Sequence, residues 1–334
     1  MLPNKPPHDE ALLDVQHLRM CYPVYEGILR KKVAEVKAVD GVSLRVGKSE
    51  TLGIVGESGS GKTTVARCIV RLVAPTAGRI LLNGVDLCQV GAGQLRHMRR
   101  DVQMIFQDPY LSLTPFMKVG DIVVEPLRVQ GIETDSKRLK AEAERSLELV
   151  RMNPDKAGRY PHELSGGQRQ RIAIARALVL KPSLIICDEP VSALDVFTQS
   201  RILDILLELQ EEFSLSYLFI SHDVAAVRFV SDRIGVMYLG QLVELAESQE
   251  LCAHPLHPYT QALVSAVPVA DPLLEGSRQR IVVQGEIASP LHPPSGCRFH
   301  PRCWQRASER CDREEPEETD TGDGHFVRCH QYSS

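Results

Sequence analysis

Aromatic residues are scarce in this chain: Phe, Trp and Tyr make up 5% of 334 residues, with a single Trp. That scarcity argues against a surface that stacks nucleic-acid bases. Charge of one sign is not in excess either. The formal net charge of -4, with 25% charged residues, points away from a basic nucleic-acid binder. Long hydrophobic runs are missing. No uninterrupted apolar stretch approaches the roughly 18 residues of a membrane span. The best candidates, Leu184 to Cys187 and Tyr217 to Ile220, are short and end in polar residues, as buried strands do. The opening Met1-Leu2-Pro3-Asn4-Lys5 carries no apolar signal-peptide segment, and no internal repeat stands out. These absences predict a soluble, cytosolic chain.

What is present is enough apolar residue, 43%, for one large domain with an appendage or for two domains. Residues 1–11 are polar and Pro-rich and read as a frayed, disordered tail. Short apolar runs at 12–15, 36–39, 42–46 and 51–55 read as strands. Between them, Glu26 to Glu35 with its Arg30-Lys31-Lys32 reads as a solvated loop. From about 108 to 180 the pattern is mainly helical. Later, two buried strands alternate with helices, including a long amphipathic one over Val196 to Glu212, which implies a mostly parallel sheet covered on both faces. After about 250, Pro, His and Cys rise and periodicity fades, so a boundary is expected there. Five cysteines, Cys21, Cys68, Cys88, Cys187 and Cys252, are scattered, mostly among apolar neighbours, and read as inert. The other four, Cys297, Cys303, Cys311 and Cys329, cluster near the C-terminus, which in a cytosolic protein favours metal over disulfides.

Two segments carry phosphate chemistry. Gly56-Glu57-Ser58-Gly59-Ser60-Gly61-Lys62-Thr63 fits the Walker A pattern, set between an apolar strand and a segment of helical spacing over Thr63 to Val73, with Thr64 among the nucleotide-binding candidates. Its glycines let the backbone turn N–H groups toward phosphates, and the helix N-terminus adds a favourable dipole. Lys62 would meet the β- and γ-phosphates of ATP, and the Thr63 hydroxyl would ligate Mg²⁺. Leu184-Ile185-Ile186-Cys187-Asp188-Glu189 is an apolar strand ending in two acids. Alone this is an ordinary strand end. Beside a phosphate loop, Asp188 becomes an Mg²⁺ ligand and Glu189 a base for the attacking water.

Leu164-Ser165-Gly166-Gly167-Gln168, followed by a basic amphipathic helix over Arg169 to Leu180, resembles the signature motif of ABC ATPases. The resemblance implies that Ser165, Gly166, Gly167 and Gln168 face the nucleotide bound by a partner subunit. It also implies a role for Gln107, in Phe106-Gln107-Asp108-Pro109, as the glutamine that senses Mg²⁺ and contacts membrane subunits. Asp195, in Ser192-Ala193-Leu194-Asp195, matches the loop that crosses the dimer interface. His222, in Ile220-Ser221-His222-Asp223, matches the histidine at the γ-phosphate. Tyr22 is the candidate for stacking on adenine, with Tyr25 as its rival. The expected fold is α/β: a RecA-like P-loop ATPase sheet with an antiparallel β-subdomain and a helical subdomain over about 108–180. Together these span 12–250, and a small cysteine-bearing domain spans 251–334.

One branch of the family fits more closely. Ala38-Val39-Asp40-Gly41-Val42-Ser43, Tyr160-Pro161-His162-Glu163-Leu164 and His254-Pro255-Leu256-His257-Pro258-Tyr259-Thr260-Gln261-Ala262-Leu263 are similar to the oligopeptide/dipeptide importer ATPases, and closest to their F-type subunit. Thr63 replaces the Ser of many members and keeps the hydroxyl. The resemblance implies an ATPase that powers peptide import from the cytoplasmic face of the membrane. Its partners would be a second homologous ATPase in a heterodimer, two transmembrane permease subunits and an extracytoplasmic peptide-binding protein, with no nucleic acid. Nickel or another small solute is an alternative cargo, and a soluble ABC ATPase outside transport is an alternative role. The four clustered cysteines, ordered C-x₅-C-x₇-C-x₁₇-C, match the ligand count of a [4Fe–4S] cluster. Zn²⁺ competes for four thiolates, though no close C-x₂₋₄-C pair is present.

Overall fold

The computed structural model describes residues 11–27, 31–267, 280–306 and 308–333. The expected tail lies outside the described residues except for Ala11, which already opens a strand. The first half of the chain forms β1 (Ala11–Glu26), β2 (Lys31–Gly47), β3 (Thr51–Val55), α1 (Lys62–Ile69), β4 (Ala77–Leu82), β5 (Val85–Asp86), α2 (Ala92–Met98), β6 (Val102–Ile105), α3 (Pro109–Ser112), α4 (Val119–Val129), α5 (Ser136–Leu149) and α6 (Gly166–Leu178). Then come β7 (Leu184–Asp188), α7 (Val196–Phe213), β8 (Ser216–Ile220), α8 (Val224–Val230), β9 (Arg233–Tyr238), β10 (Gln241–Glu247), α9 (Ser248–Ala253), α10 (Pro258–Ser265), α11 (Arg310–Arg313), β11 (Thr319–Asp320) and β12 (Phe326–Val327). They divide between two compact units.

The first unit comprises described residues of 11–13, 45–51 and 81–220. Its strands β6, β7 and β8 are parallel, with Val102 opposite Leu184 and Leu184 opposite Ser216. Every residue of β7 and β8 is buried, which is why both read as continuous apolar runs without alternation. The amphipathic α7 buries Ile202, Leu203, Ile205, Leu206 and Leu209, a stripe at helical spacing. The Tyr217 hydroxyl donates to the Leu206 carbonyl at 3.0 Å, tying α7 to β8. The predicted helical stretch contains α3 to α6, and α4, which buries Val119, Ile122, Val123, Val124 and Leu127, packs against both α5 and α6.

The second unit comprises described residues of 14–44, 52–80 and 221–333. Here β3 runs parallel to β9 (Leu52 opposite Arg233, Val55 opposite Val236), and β9 folds back as an antiparallel hairpin onto β10. Strands β2, β1 and β4 lie side by side in that order. The loop expected over Glu26 to Glu35 is shorter than the sequence suggested, because β1 runs to Glu26 and β2 starts at Lys31. Lys31, Lys32 and Val33 are all exposed, so no in-out alternation marked that arm as strand. The C-terminal extension builds onto this unit: β12 pairs with β10 through Glu244–Val327 and Leu245–Phe326. Phe299 is fully buried beside Tyr238 and Tyr259. Its described part therefore shares the core of the second unit.

Candidate nucleotide site

The loop from Gly56 to Gly61 leaves β3 at Val55 and enters α1 at Lys62. Two of its glycines are dictated by close approach. A Cβ on Gly56 would lie 2.2 Å from the Met237 carbonyl oxygen, and one on Gly61, at φ +103°, would lie 2.2 Å from the Ala38 carbonyl oxygen. No L side chain fits either position. Lys62 is buried, and its Nζ donates to the carbonyls of Gly56 and Glu57 at 2.7 and 2.9 Å and to Ser60 Oγ at 3.2 Å. An ammonium set among backbone and hydroxyl oxygens inside such a loop can receive an anion. Thr63 and Thr64 stand half-buried in the first turn of α1. The Ser221 amide donates to the Ile54 carbonyl at 3.1 Å, which holds exposed His222 beside the strand that feeds the loop. Tyr22 projects from β1 with 37% of its surface exposed, and Tyr25 with 52%.

Residues that sequence reasoning missed brace this loop. The Glu57 amide donates to the Tyr259 hydroxyl at 2.7 Å, and the Glu57 carboxylate takes two hydrogen bonds from Arg302 at 2.9 and 3.2 Å. Burial works against the Arg302 charge, but pairing with Glu57 and Tyr238 outweighs it and raises its pKa above the usual value. Arg298, almost fully buried, donates to Asp40 and to the Leu239 carbonyl. One signal was legible: an acid inside a phosphate loop calls for a cation beside it.

In the first unit, Asp188 ends β7 almost fully buried, and Glu189 follows at φ +48° with its amide donating to the Ile220 carbonyl at 2.8 Å. A left-handed conformation at a non-glycine residue is costly and clusters at functional positions. Gln107 Nε2 donates to Glu189 Oε2 at 3.0 Å, so the structure joins two residues read separately. Ser165 caps α6 in a reciprocal box: the Gln168 amide donates to Ser165 Oγ, and the Ser165 amide donates to Gln168 Oε1. The helix therefore starts at Gly166, earlier than the periodicity indicated. A Cβ on Gly167 would meet Thr198 Cγ2 at 2.4 Å, and one on Gly166 would meet Leu194 at 3.3 Å. These glycines thus also let α6 approach the segment that begins α7. Asp195 caps α7, accepting from the Thr198 amide and hydroxyl, and this holds its carboxyl below the usual range.

Cys297, Cys303, Cys311 and Cys329 are free thiols that line one cavity with His257, Phe299, His300 and His330. Even so, among the described residues no group of three or more His, Cys, Asp or Glu side chains is arranged to hold a metal ion. The four expected ligands thus share one cavity, without an arrangement that by itself identifies a bound ion. Burial pushes the Cys297 thiol up to about 12 and raises Cys303 and Cys329. His257, fully buried, is pushed down to about 4 by burial, and its Nδ1 accepts from the Tyr259 amide.

Comparison with known proteins decides the family. Residues 39–192 match the ABC transporter family, and 243–311 match the oligopeptide/dipeptide transporter C-terminal region. The chain is 50% identical to the oligopeptide transport ATP-binding protein AppF of Bacillus subtilis, over 98% of this chain and 99% of that one. The chain belongs to the ATP-binding subunits of ABC-type oligopeptide/dipeptide transporters. A second member, the probable peptide ABC transporter ATP-binding protein y4tS of Sinorhizobium fredii, is 49% identical over 96% of this chain and 90% of that one. Among solved structures, the dimeric post-hydrolysis state of the ATP-binding cassette MJ0796 bound to ADP and Pi aligns with a TM-score of 0.63. It is 28% identical, over 71% of this chain and 98% of that one. The α/β cassette fold and an ATPase activity follow from this membership. No helix among the described residues is long and apolar enough to cross a membrane.

Proposed function

We propose that this ABC ATPase powers import of peptides through permease subunits at the cytoplasmic face of the membrane, paired with a second, related ATPase and served by an extracytoplasmic peptide-binding protein. The near full-length identity to oligopeptide transport subunits supports the cargo class. The observation that carries the chemistry is the buried Lys62 ammonium wrapped by its own loop. It would exchange carbonyl oxygens for nucleotide phosphates, while Glu57 to Thr64 supply the turn and helix N-terminus. Tyr22 would stack on the adenine. Thr63, Asp188 and Gln107 offer hard oxygens that suit Mg²⁺, which when bound neutralises phosphate charge. Glu189 takes the proton of the attacking water, and its bond to Gln107 fixes where that carboxylate points. His222 donates to the γ-phosphate. Ser165 to Gln168, with Asp195 and its loop, would complete the partner subunit's site.

The domain reading that goes with this is a cassette over 12–250, with its helical part at about 108–180, and an extension over 251–334. Within the extension, the four cysteines have the number and type of donors for a [4Fe–4S] cluster, with Zn²⁺ as the competing ion, and a structural role suits either. Two measurements test the proposal. ATP turnover by the isolated chain should be slow and rise on assembly with the permeases, since each composite site needs two subunits. High, concentration-independent turnover by a proven monomer would overturn the paired site. Anaerobically purified protein should carry about four irons, as the four-thiolate cluster requires. Stoichiometric zinc without iron would replace the cluster by a zinc site, and neither metal would remove both.

A further inference from the structure

A carboxylate within a loop built for phosphates is an electrostatic liability, since like charges at close range repel. Glu57 is such a carboxylate. It is not left facing the loop: Arg302 of the C-terminal extension takes it with two hydrogen bonds at 2.9 and 3.2 Å, and only 9% of the Arg302 side chain is exposed. A paired arrangement of this kind fixes direction as well as charge. The peptide of the same residue is held from the extension too. Its N–H donates to the hydroxyl of Tyr259, whose ring is buried against Tyr238 and Phe299. The carbonyls on either side of that N–H, those of Gly56 and Glu57, accept from Lys62. When phosphates draw Lys62 away, the loop loses that strut, and the braces from Tyr259 and Arg302 remain. A second brace runs from Arg298, which holds Asp40 and the Leu239 carbonyl. The Asp40 amide donates to the Gly240 carbonyl, and the Gly240 amide donates to the Ser60 carbonyl at 2.9 Å. Arg298 and Arg302 lie between Cys297 and Cys303 in sequence, so one short segment reaches the loop directly at residue 57 and, through Asp40 and Gly240, is linked to residue 60.

We propose that Arg302 and Tyr259 are positioning residues for the phosphate loop, so that the C-terminal extension sets how tightly this ATPase holds its nucleotide. The inference rests on the reading of Gly56 to Thr63 as the phosphate loop. Tyr259→Phe keeps the buried ring and removes the hydroxyl. Arg302→Gln removes the charge, and Arg302→Lys returns it without the paired geometry. In equilibrium binding to the full chain, Tyr259→Phe and Arg302→Gln should each weaken ATP affinity by about tenfold, the scale of one lost buried hydrogen bond, with Arg302→Lys in between. In the assembled transporter, KM should rise while kcat changes much less, as loss of uniform binding requires. Binding is reciprocal, so a non-hydrolysable ATP analogue should slow backbone hydrogen exchange over residues 298–303 in the unaltered chain. Unchanged affinity in folded variants overturns the proposal, as does a lowered melting temperature with unchanged affinity, which would leave only a structural staple. Should the variants fail to fold, the exchange measurement still decides: no nucleotide-dependent protection at 298–303 refutes the coupling. If Lys62→Ala also leaves ATP affinity unchanged, the phosphate-loop reading itself fails.

Discussion

Replacing Glu189 by Gln separates chemistry from folding, and the structure says by how much. The side chain keeps its size, and its amide oxygen can still accept from Gln107, which stands 3.0 Å away. The backbone at φ +48° is anchored by an amide hydrogen bond to Ile220 that the side chain does not enter. The cost to folding should therefore stay within about 1 kcal/mol, the range of one partly exposed hydrogen bond. What is lost is the carboxylate proposed to take a proton from water. Loss of a general base lowers turnover by about 10² to 10⁴-fold, equivalent to about 3 to 5 kcal/mol on the barrier. The two scales differ enough that a stability change cannot pass for a catalytic one. Turnover of the reconstituted transporter, ATP affinity and melting temperature should be measured together. The expected pattern is turnover nearly abolished, affinity retained and melting little changed. Turnover within a few-fold of the unaltered protein would refute the role of Glu189. Loss of affinity in parallel with turnover would show that the acid serves binding instead.

Three further substitutions test other parts of the argument. Lys62→Ala should weaken ATP binding as well as turnover, because the ammonium meets phosphate in the ground state too; calorimetric titration reads this directly. Gly167→Ala places a Cβ 2.4 Å from Thr198 Cγ2 and should destabilise the fold by about 1 to 3 kcal/mol in chemical denaturation. Adding Thr198→Ser, which removes that methyl and keeps the capping hydroxyl, should restore much of the loss; no rescue would mean the clash is not the cause. Glu244 is buried and accepts from the amides of Leu256 and His257 and from His325 Nε2. Glu244→Leu should cost about 3 kcal/mol or more by stranding those donors and should expose the extension to limited proteolysis, whereas an unchanged cleavage pattern would contradict its anchoring role.

The turn from β3 into α1 was legible because its whole pattern lies in eight consecutive residues, and the β7 and β8 strands because burial on both faces leaves an unbroken apolar run. The start of α6 was less so: glycines at 166 and 167 disfavour helix by propensity, and the Ser165–Gln168 cap that overrides this is visible only as a pattern of two residues. The Gln107–Glu189 bond, and the identity of the cation that Glu57 calls for, could not be read, since each pairing joins positions far apart in sequence through side-chain direction. The four cysteines show the limit from the other side. Their spacing names a ligand count, and the fold brings all four to one cavity, but spacing does not name an ion.

The short pairing of β12 with β10 has a consequence for how this subunit can be handled. Six of the seven residues of β10 are buried, and β12 covers backbone groups on the side of β10 away from β9. A chain cut after β10 would present an apolar, unprotected strand edge, a template for strand addition by another molecule. Such a truncated cassette should self-associate and precipitate as it is concentrated, so solubility itself becomes a readout of whether the extension is docked.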